Sequence, residues 1–219
     1  FQNQARYLAG EGPVSVAIGD VNDDTRLDIV VTNVRSNDVM VFLQYTDVSI
    51  ANEMSFAPGG GSSLRDVVIG DMNNDTYLDI ILANYGTNNI GVLYGYGNGS
   101  FKNQTMLSTG SNSHPTVLAI GHFNDDEIVD IAVVSRGTMH LDMILGSGNG
   151  IFVSQTSYKI AFDFAPLAMA SGDFNNDSRS EIAILYDESD GVNIFVAYDH
   201  GSFTAQKKYS AGSKSASVA

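Results

Sequence analysis

The chain carries the stretch Asp20-Val-Asn-Asp-Asp-Thr-Arg-Leu-Asp28, and it repeats this pattern three more times. The related stretches occupy residues 71–79, 122–130 and 173–181, so their first residues lie 51 positions apart each time. A fixed spacing of this length indicates an internal repeat, in which one supersecondary unit is used several times and neighbouring units bury each other's apolar surface.

Each unit contains short apolar runs that alternate with turns. In the first unit these runs are residues 14–18 before the acidic loop, 27–31 after it and 39–43 beyond the next turn. After a further turn, such as the one at residues 97–100, a phenylalanine is expected to lead into a weaker, more polar fourth strand in every unit (Phe56, Phe101, Phe152 and Phe203). Strands that are apolar on both faces are typical of sheets covered on both sides. We therefore predict an all-β fold, a β-propeller made of four-stranded antiparallel blades; a β-solenoid or a set of sandwiches is the alternative.

The domain organisation follows from the repeat. We predict a single propeller over residues 1–219, with four complete repeats of 51 residues at approximately 14–60, 66–110, 116–162 and 167–212. Residues 1–9 and 214–219 are predicted to be partial strands of flanking blades. These ends either close a small ring or leave a ring that missing sequence or another molecule completes. Because the chain begins at Phe1, we expect a processed chain, a fragment or part of something longer.

The composition narrows the classes of partner. The formal net charge is −14, from 25 acidic and 11 basic residues, which disfavours nucleic acid and anionic membrane surfaces. Fourteen of the 25 acidic residues lie in or beside the repeated loops. Clustered carboxylates repel one another unless a cation neutralises them. The chain has no cysteine, which is compatible with either side of a membrane.

The loops have the pattern Asp-x-Asn-x-Asp-x-x-x-Asp, which places oxygen side chains at loop positions 1, 3, 5 and 9. Hard oxygen donors of this kind suit Ca²⁺, with the backbone carbonyl of position 7 as a further ligand. The predicted ligands are Asp20, Asn22, Asp24, Arg26 (carbonyl) and Asp28; Asp71, Asn73, Asp75, Tyr77 (carbonyl) and Asp79; Asn124, Asp126, Ile128 (carbonyl) and Asp130; and Asp173, Asn175, Asp177, Arg179 (carbonyl) and Glu181. The alternative is that these are ordinary Asp/Asn turns that cap themselves without metal.

Two features weaken particular loops. In the third loop His122 replaces the first carboxylate, so weak or absent binding is expected there at neutral pH. Calcium loops of the EF-hand type carry Gly at position 6 for a sharp turn. Here position 6 holds Thr25, Thr76, Glu127 and Ser178, and the flanking segments are strands rather than helices.

The unit Val-Ala-Ile-Gly-Asp-x-Asn-x-Asp-x-x-x-Asp-Ile-Val-Val-x-Asn, followed by Gly-x-Gly-Asn-Gly-x-Phe, resembles the FG-GAP/VCBS repeat. Related blades occur in integrin α-chain head domains. The resemblance covers essentially the whole chain. It implies a propeller with calcium in the loop between the first two strands of a blade, extracellular or cell-surface placement, and a role in adhesion, ligand binding or scaffolding.

Four sequons, at Asn74, Asn98, Asn103 and Asn176, are candidate N-glycosylation sites. No catalytic site is predicted. None of the four histidines sits in a nucleophile motif, and no dinucleotide fingerprint occurs, so we expect the chain not to be an enzyme.

Two functional hypotheses remain. The first is an extracellular, calcium-stiffened structural or adhesive module. A specific variant of it assembles with itself through its incomplete end strands into a larger ring or filament. The second is a lectin-like module that binds a glycan or protein ligand. Six tyrosines could line such a groove, although packing between blades explains them as well (Tyr7, Tyr45, Tyr85, Tyr94, Tyr96 and Tyr186).

Overall fold

The computed structural model describes residues 7–46, 49–158, 165–186, 191–198 and 202–210. These residues form four antiparallel sheets of four strands each, and a single 3₁₀ turn at Tyr85–Thr87 is the helical element among them. The prediction of an all-β fold with four-stranded antiparallel blades is therefore confirmed. In this part of the chain no helix is long and apolar enough to cross a membrane.

The sixteen strands follow one another in chain order within the sheets. The first sheet contains β1 (Pro13–Gly19), β2 (Asp28–Asn33), β3 (Asp38–Thr46) and β4 (Ser49–Phe56). The second contains β5 (Leu64–Gly70), β6 (Asp79–Asn84), β7 (Asn89–Leu93) and β8 (Thr105–Ser108). The third contains β9 (Pro115–Gly121), β10 (Asp130–Ser135), β11 (His140–Gly146) and β12 (Phe152–Tyr158). The fourth contains β13 (Pro166–Gly172), β14 (Glu181–Tyr186), β15 (Gly191–Tyr198) and β16 (Ser202–Ser210).

The repeat spacing of the sequence is preserved in the strands. The first strands of the sheets begin at residues 13, 64, 115 and 166, and the second strands begin at 28, 79, 130 and 181, a step of 51 in both series. The second strands β6, β10 and β14 are buried along their whole length. Both faces of these strands are covered because the sheets stack face to face, which explains their unbroken apolar sequence.

Successive blades pack through two distinct faces. We call the trailing face of a blade the one that contacts the following blade, and the leading face the one that contacts the preceding blade. At the first junction the trailing face contributes Val30 and Val41, and the leading face of the second blade contributes Val67 and Ile80. Equivalent apolar clusters fill the next two junctions. In the described part of the chain, the core therefore consists of three inter-blade layers.

One detail of the repeat alignment was wrong. Phe56 was grouped with the phenylalanines that introduce the fourth strand, but it is the last residue of β4 and pairs with Val39. By contrast, Phe101 pairs with Gly95 immediately after the third strand of its sheet, and Phe152 begins β12. The first unit lacks the Gly-rich turn that places phenylalanine there. The predicted partial strands lie mostly outside the described residues, which begin at residue 7 and end at residue 210.

Candidate metal-binding loops

The second loop, residues 71–79, shows how the repeated pattern folds. The side-chain Oδ1 atoms of Asp71 and Asn73 both accept a hydrogen bond from the backbone amide of Asp75, at 3.1 and 3.0 Å. The Nδ2 atom of Asn73 donates to Asp75 Oδ2 at 2.9 Å. The amide of Thr76 donates to Asp71 Oδ2 at 2.7 Å. Loop positions 1, 3 and 5 are thus drawn together, because they share the amides of one tight turn.

The first and fourth loops repeat this arrangement. In the first loop the Nδ2 atom of Asn22 donates to Asp24 Oδ2 at 3.1 Å, and the backbone amide of Asp24 donates to Asp20 Oδ1 at 3.1 Å. In the fourth loop Asn175 donates to Asp177 at 3.0 Å, and the amide of Asp177 donates to Asp173 at 3.1 Å. Three loops therefore bring two carboxylates and one asparagine side chain side by side, and in the first two the asparagine Oδ1 shares the amide of position 5 with the carboxylate of position 1.

The residue at loop position 7, predicted to offer its carbonyl, donates its amide to the carboxylate at position 5. The distances are 2.9 Å from Arg26, 3.0 Å from Tyr77, 3.0 Å from Ile128 and 2.9 Å from Arg179. This bond fixes the chain beyond the turn in every loop.

The carboxylate at position 9 has a different role from the other three. Asp79 Oδ2 accepts from the amide of Met72 at 2.9 Å, and its Oδ1 accepts from Gly95, at the end of the third strand, at 2.8 Å. Asp28 and Asp130 make the same pair of bonds. The extra methylene of Glu181 lets its two oxygens accept from the Phe174 amide at 2.7 Å and from Asn175 Nδ2 at 3.0 Å. The structure therefore places position 9 as a buried anchor of the loop base.

Burial sets the protonation behaviour of these anchors. Desolvation, opposed by the backbone hydrogen bonds and reinforced by the loop carboxylates at positions 1 and 5, raises the pKa of Asp79 to about 6. Burial likewise raises the pKa of Asp130 to about 6 and the pKa values of Asp28 and Glu181 above their ordinary values. A cation held by the neighbouring oxygens would favour the ionised carboxylates, since opposite charge stabilises the charged form.

The missing glycine at position 6 does not prevent the sharp turn. Thr25, Thr76, Glu127 and Ser178 all adopt left-handed backbone conformations, with φ between 55° and 74°. Position 4 is also left-handed in the first, second and fourth loops, but the third loop lacks this second left-handed residue. The loops thus reach a conformation that usually favours glycine, at a conformational cost.

The third loop has no carboxylate at position 1, and hydrogen bonds and an ion pair connect it to the fourth loop. The backbone of His122 exchanges hydrogen bonds with Ser180, through the Ser180 Oγ at 3.1 Å and the Ser180 amide at 2.8 Å. The Nε atom of Arg179 forms an ion pair with Asp125 Oδ1 at 2.7 Å. A positive side chain from the neighbouring loop therefore already neutralises a carboxylate of this loop.

The donor chemistry of the first, second and fourth loops fits a hard cation. Two carboxylates and one asparagine side chain lie together, and the oxygen atoms of such groups are the donors that calcium prefers. Within the described residues no three His, Cys, Asp or Glu side chains form a metal-binding group.

The remaining predicted sites are placed as follows. The sequon asparagines Asn74, Asn98, Asn103 and Asn176 are all exposed. The tyrosines do not share one groove. Tyr94 and Tyr186 are buried in different inter-blade clusters, and Tyr85 stacks on His114 with ring centroids 4.6 Å apart. Tyr96 is 53% exposed beside Lys102, whose Nζ lies 5.6 Å from the ring centroid. The side chain of Tyr45 lies outside the described part of the structure.

Sequence reasoning missed one functional position in the inner strands, Asp66. Its carboxylate accepts from Ser15 Oγ of the first blade at 2.6 Å and from the Leu118 amide of the third blade at 2.8 Å. Burial raises its pKa, although these hydrogen bonds oppose the shift. Asp66 thus connects three blades. The signal was an aspartate where the other units carry Ser15, Val117 and Ala168.

Comparison with known proteins identifies the repeat. The model of the FG-GAP-like repeat family matches residues 20–82, 71–133 and 122–184, and each matched segment begins at position 1 of a loop. No curated protein sequence matches the chain.

Solved structures with the same fold include enzymes and a lectin. A streptogramin B lyase matches with a TM-score of 0.62 at 13% identity, covering 93% of this chain and 56% of the lyase. An inactive variant of virginiamycin B lyase from Staphylococcus aureus, solved with quinupristin, matches at 0.60 and 13%, covering 91% and 55%. An Agrocybe aegerita lectin, described as recognising non-reducing terminal N-acetylglucosamine, matches at 0.63 and 16%, covering 90% and 52%. The chain thus spans about half the length of these structures.

These matches overturn one expectation. The chain was predicted not to be an enzyme, but the structures that it resembles include lyases. The fold family therefore includes enzymes, and the repeat architecture does not exclude catalysis. At these identities the likeness concerns the fold alone.

Proposed function

The chain belongs to the FG-GAP-like repeat family, and from that premise we propose that it is an extracellular or cell-surface calcium-binding propeller module with a structural or adhesive role, which assembles with further copies. One observation carries the calcium proposal. In three loops of this chain the amide of position 5 donates to the carboxylate of position 1, and the Asn side chain of position 3 donates to the carboxylate of position 5. Three repetitions of one donor set favour a common ligand over turns that merely cap themselves.

Extracellular placement agrees with the chemistry of the loops. The three candidate loops each bring two carboxylates and one asparagine together at positions 1, 5 and 3. A site with so little ligand charge binds calcium weakly. Weak sites are filled where calcium is abundant, and extracellular modules bind it with dissociation constants of about 10⁻⁴–10⁻³ M. The exposed sequon asparagines are compatible with passage through a secretory pathway.

Calcium titration of the unglycosylated chain tests the proposal. Calorimetry is expected to show three sites, from the first, second and fourth loops. Asp20→Asn removes one carboxylate of the donor set and is expected to abolish one site. Asp23→Asn makes the same change of charge at an exposed position of the same loop and is expected to leave three sites. Equal binding by the two variants, or no binding at millimolar calcium, would refute the proposal.

A second candidate is a glycan-binding role. It is favoured by the exposed Tyr96 beside Lys102 and by the likeness to a lectin. Exposed aromatic rings provide an apolar face on which a sugar can stack. A glycan array that includes terminal N-acetylglucosamine tests this role, and Tyr96→Ala is expected to remove any binding seen. Binding that survives this substitution would place the sugar elsewhere.

A further inference from the structure

The leading face of the first blade is open where the same face of later blades is covered. Val16 is 59% exposed, whereas its counterparts one and two repeats later, Val67 and Leu118, are 3% and 2% exposed. Ile18 and Leu27 are also exposed, at 59% and 61%. Their counterparts in the second and third blades pack against inter-blade clusters. The same apolar positions thus change from buried to exposed when no preceding blade covers them.

Only the inner part of this face is open. Farther out along the blade, Phe42 is buried and Tyr7 packs near it, with ring centroids 6.4 Å apart. Tyr7 therefore covers part of the outer region of this face. The patch of Val16, Ile18 and Leu27 remains exposed, and we call it the leading patch.

The opposite end of the repeat array exposes the matching surface. Phe174 is 54% exposed, whereas its counterparts Val21, Met72 and Phe123 are at most 1% exposed. Each counterpart lies in the cluster that joins its own blade to the next one. Phe174 is therefore a trailing-face side chain that no following blade covers among the residues that the structure describes.

The existing junctions show how these two surfaces fit. The side chain of Ile69 occupies the space that a Cβ atom on Gly19 would take, and Ile120 does the same at Gly70. Glycine at the end of the inner strand thus provides a socket for an isoleucine of the next blade. Ile18 is the counterpart of these isoleucines, and Gly172 is the counterpart of the glycines. The third junction differs, because Ser180 and Phe123 lie at Gly121.

We propose that a second copy of this chain docks head to tail, with the leading patch of one copy on the trailing face around Phe174 of the other. Ile18 then packs against Gly172 and the ring of Phe174, which itself lies 3.1 Å from the place of a Cβ atom on Gly172. A second copy is the matching occupant because it carries both halves of a junction that this chain already forms internally. The inference extends the self-assembly part of the proposed function and is independent of calcium in the loops.

Head-to-tail docking predicts a definite assembly. Two copies contribute eight four-stranded sheets, and propellers close with about four to eight blades. A closed pair uses both junctions and leaves neither patch exposed, which favours it over an open chain. Because each copy carries a net charge of −14, the copies repel one another, and added salt is expected to strengthen the association.

Light scattering on a sizing column and sedimentation across a wide concentration range test the docking. The 219-residue chain is expected to reach twice its mass of 23.4 kDa. Ile18→Asp and Phe174→Asp each place a charge in the junction and are expected to weaken association at least about tenfold. Ile151→Asp is the matched control, because Ile151 is 61% exposed on a turn outside both patches, and it is expected to associate like the unaltered chain.

Mixing the two variants gives the sharpest result. Each variant alone lacks one half of every junction, but a mixture contains one intact leading patch and one intact trailing face. An equimolar mixture of Ile18→Asp and Phe174→Asp is therefore expected to recover pairs that neither forms alone. Circular dichroism and thermal melts establish that both variants fold.

Three outcomes overturn the inference. The first is an unaltered chain that stays monomeric at every concentration, which would mean that other segments cover both patches. The second is association that Ile18→Asp and Phe174→Asp leave intact. The third is a mixture of the two variants that stays monomeric. Assemblies larger than two copies, if Ile18→Asp and Phe174→Asp each prevent them, support the same contact repeated in an open chain of copies. Performing the series in calcium and in chelator separates this inference from the calcium proposal, whose failure appears in calorimetry and leaves the docking unchanged.

Discussion

Replacing Thr25 by glycine is expected to stabilise the protein, although glycine in most positions does the opposite. Thr25 occupies position 6 of the first loop with φ of 68°, and its side chain is exposed. A left-handed conformation costs a residue with a Cβ atom about 1–2 kcal/mol. Glycine loses about 0.5–1 kcal/mol through its greater freedom in the unfolded chain. The amide that donates to Asp20 Oδ2 at 2.6 Å is retained.

The difference between these terms predicts a net gain of up to about 1.5 kcal/mol, and each 1 kcal/mol corresponds to roughly 2–4 °C in melting temperature for a chain of this size. Urea and thermal unfolding of the unglycosylated chain, in chelator, measure it. Thr105→Gly is the control, because Thr105 is exposed in the regular strand β8. It is expected to lose about 0.5–1 kcal/mol. If both substitutions destabilise the chain equally, the reasoning from the left-handed conformation is wrong.

Three further changes probe other contacts. His122→Asp restores the first carboxylate of the third loop and is expected to raise the number of calcium sites from three to four in calorimetry; an unchanged number would show that the tie to the fourth loop blocks the site. Asp66 accepts hydrogen bonds through both carboxylate oxygens, including one from the Leu118 amide, whereas asparagine has a single side-chain oxygen. Asp66→Asn is therefore expected to lower the free energy of unfolding, measured in urea, by about 1–3 kcal/mol. Because burial raises the pKa of folded Asp66, its stabilising contribution is fully present below the unfolded pKa and is lost as pH rises through the folded pKa. Asp66→Asn should therefore cost more at about pH 4 than at about pH 7, and a cost independent of pH would contradict the burial argument. Tyr94→Phe removes the hydroxyl that donates to the Gly150 carbonyl of the next blade at 2.6 Å and is expected to cost about 1 kcal/mol; no loss of melting temperature would mean that packing alone holds this junction.

Much of the fold was predictable from the sequence because the same strand pattern occurs in every repeat. Each strand was signalled several times at the same spacing, so a weak signal in one unit was supported by stronger ones elsewhere. The fourth strand of the first unit was the exception. Its phenylalanine, Phe56, was assigned to the wrong end of the strand because the Gly-rich turn that fixes the register in later units is absent there.

The sequence predicted where the candidate loops lie, but not which hydrogen-bond partner each loop oxygen has. Positions 1, 3 and 5 lie within one turn, so their proximity follows from the sequence. Position 9 was predicted as a calcium ligand, and that stays a prediction; the structure adds that its carboxylate bonds to an amide beyond the third strand, as Asp79 does with Gly95. That partner lies sixteen residues away and reaches the loop only through strand pairing.

The sequence by itself determined the repeat, the strand order and the composition of the loops, because these depend on residues that are neighbours in the chain. The tertiary structure alone decided which equivalent residues are covered. Val16 and Val67 occupy the same position in successive units, as do Met72 and Phe174, yet one member of each pair is buried and the other is exposed. The physical reason is that a blade buries its faces only against other blades, so the exposure of a side chain depends on the presence of a neighbouring blade and not on its own local sequence.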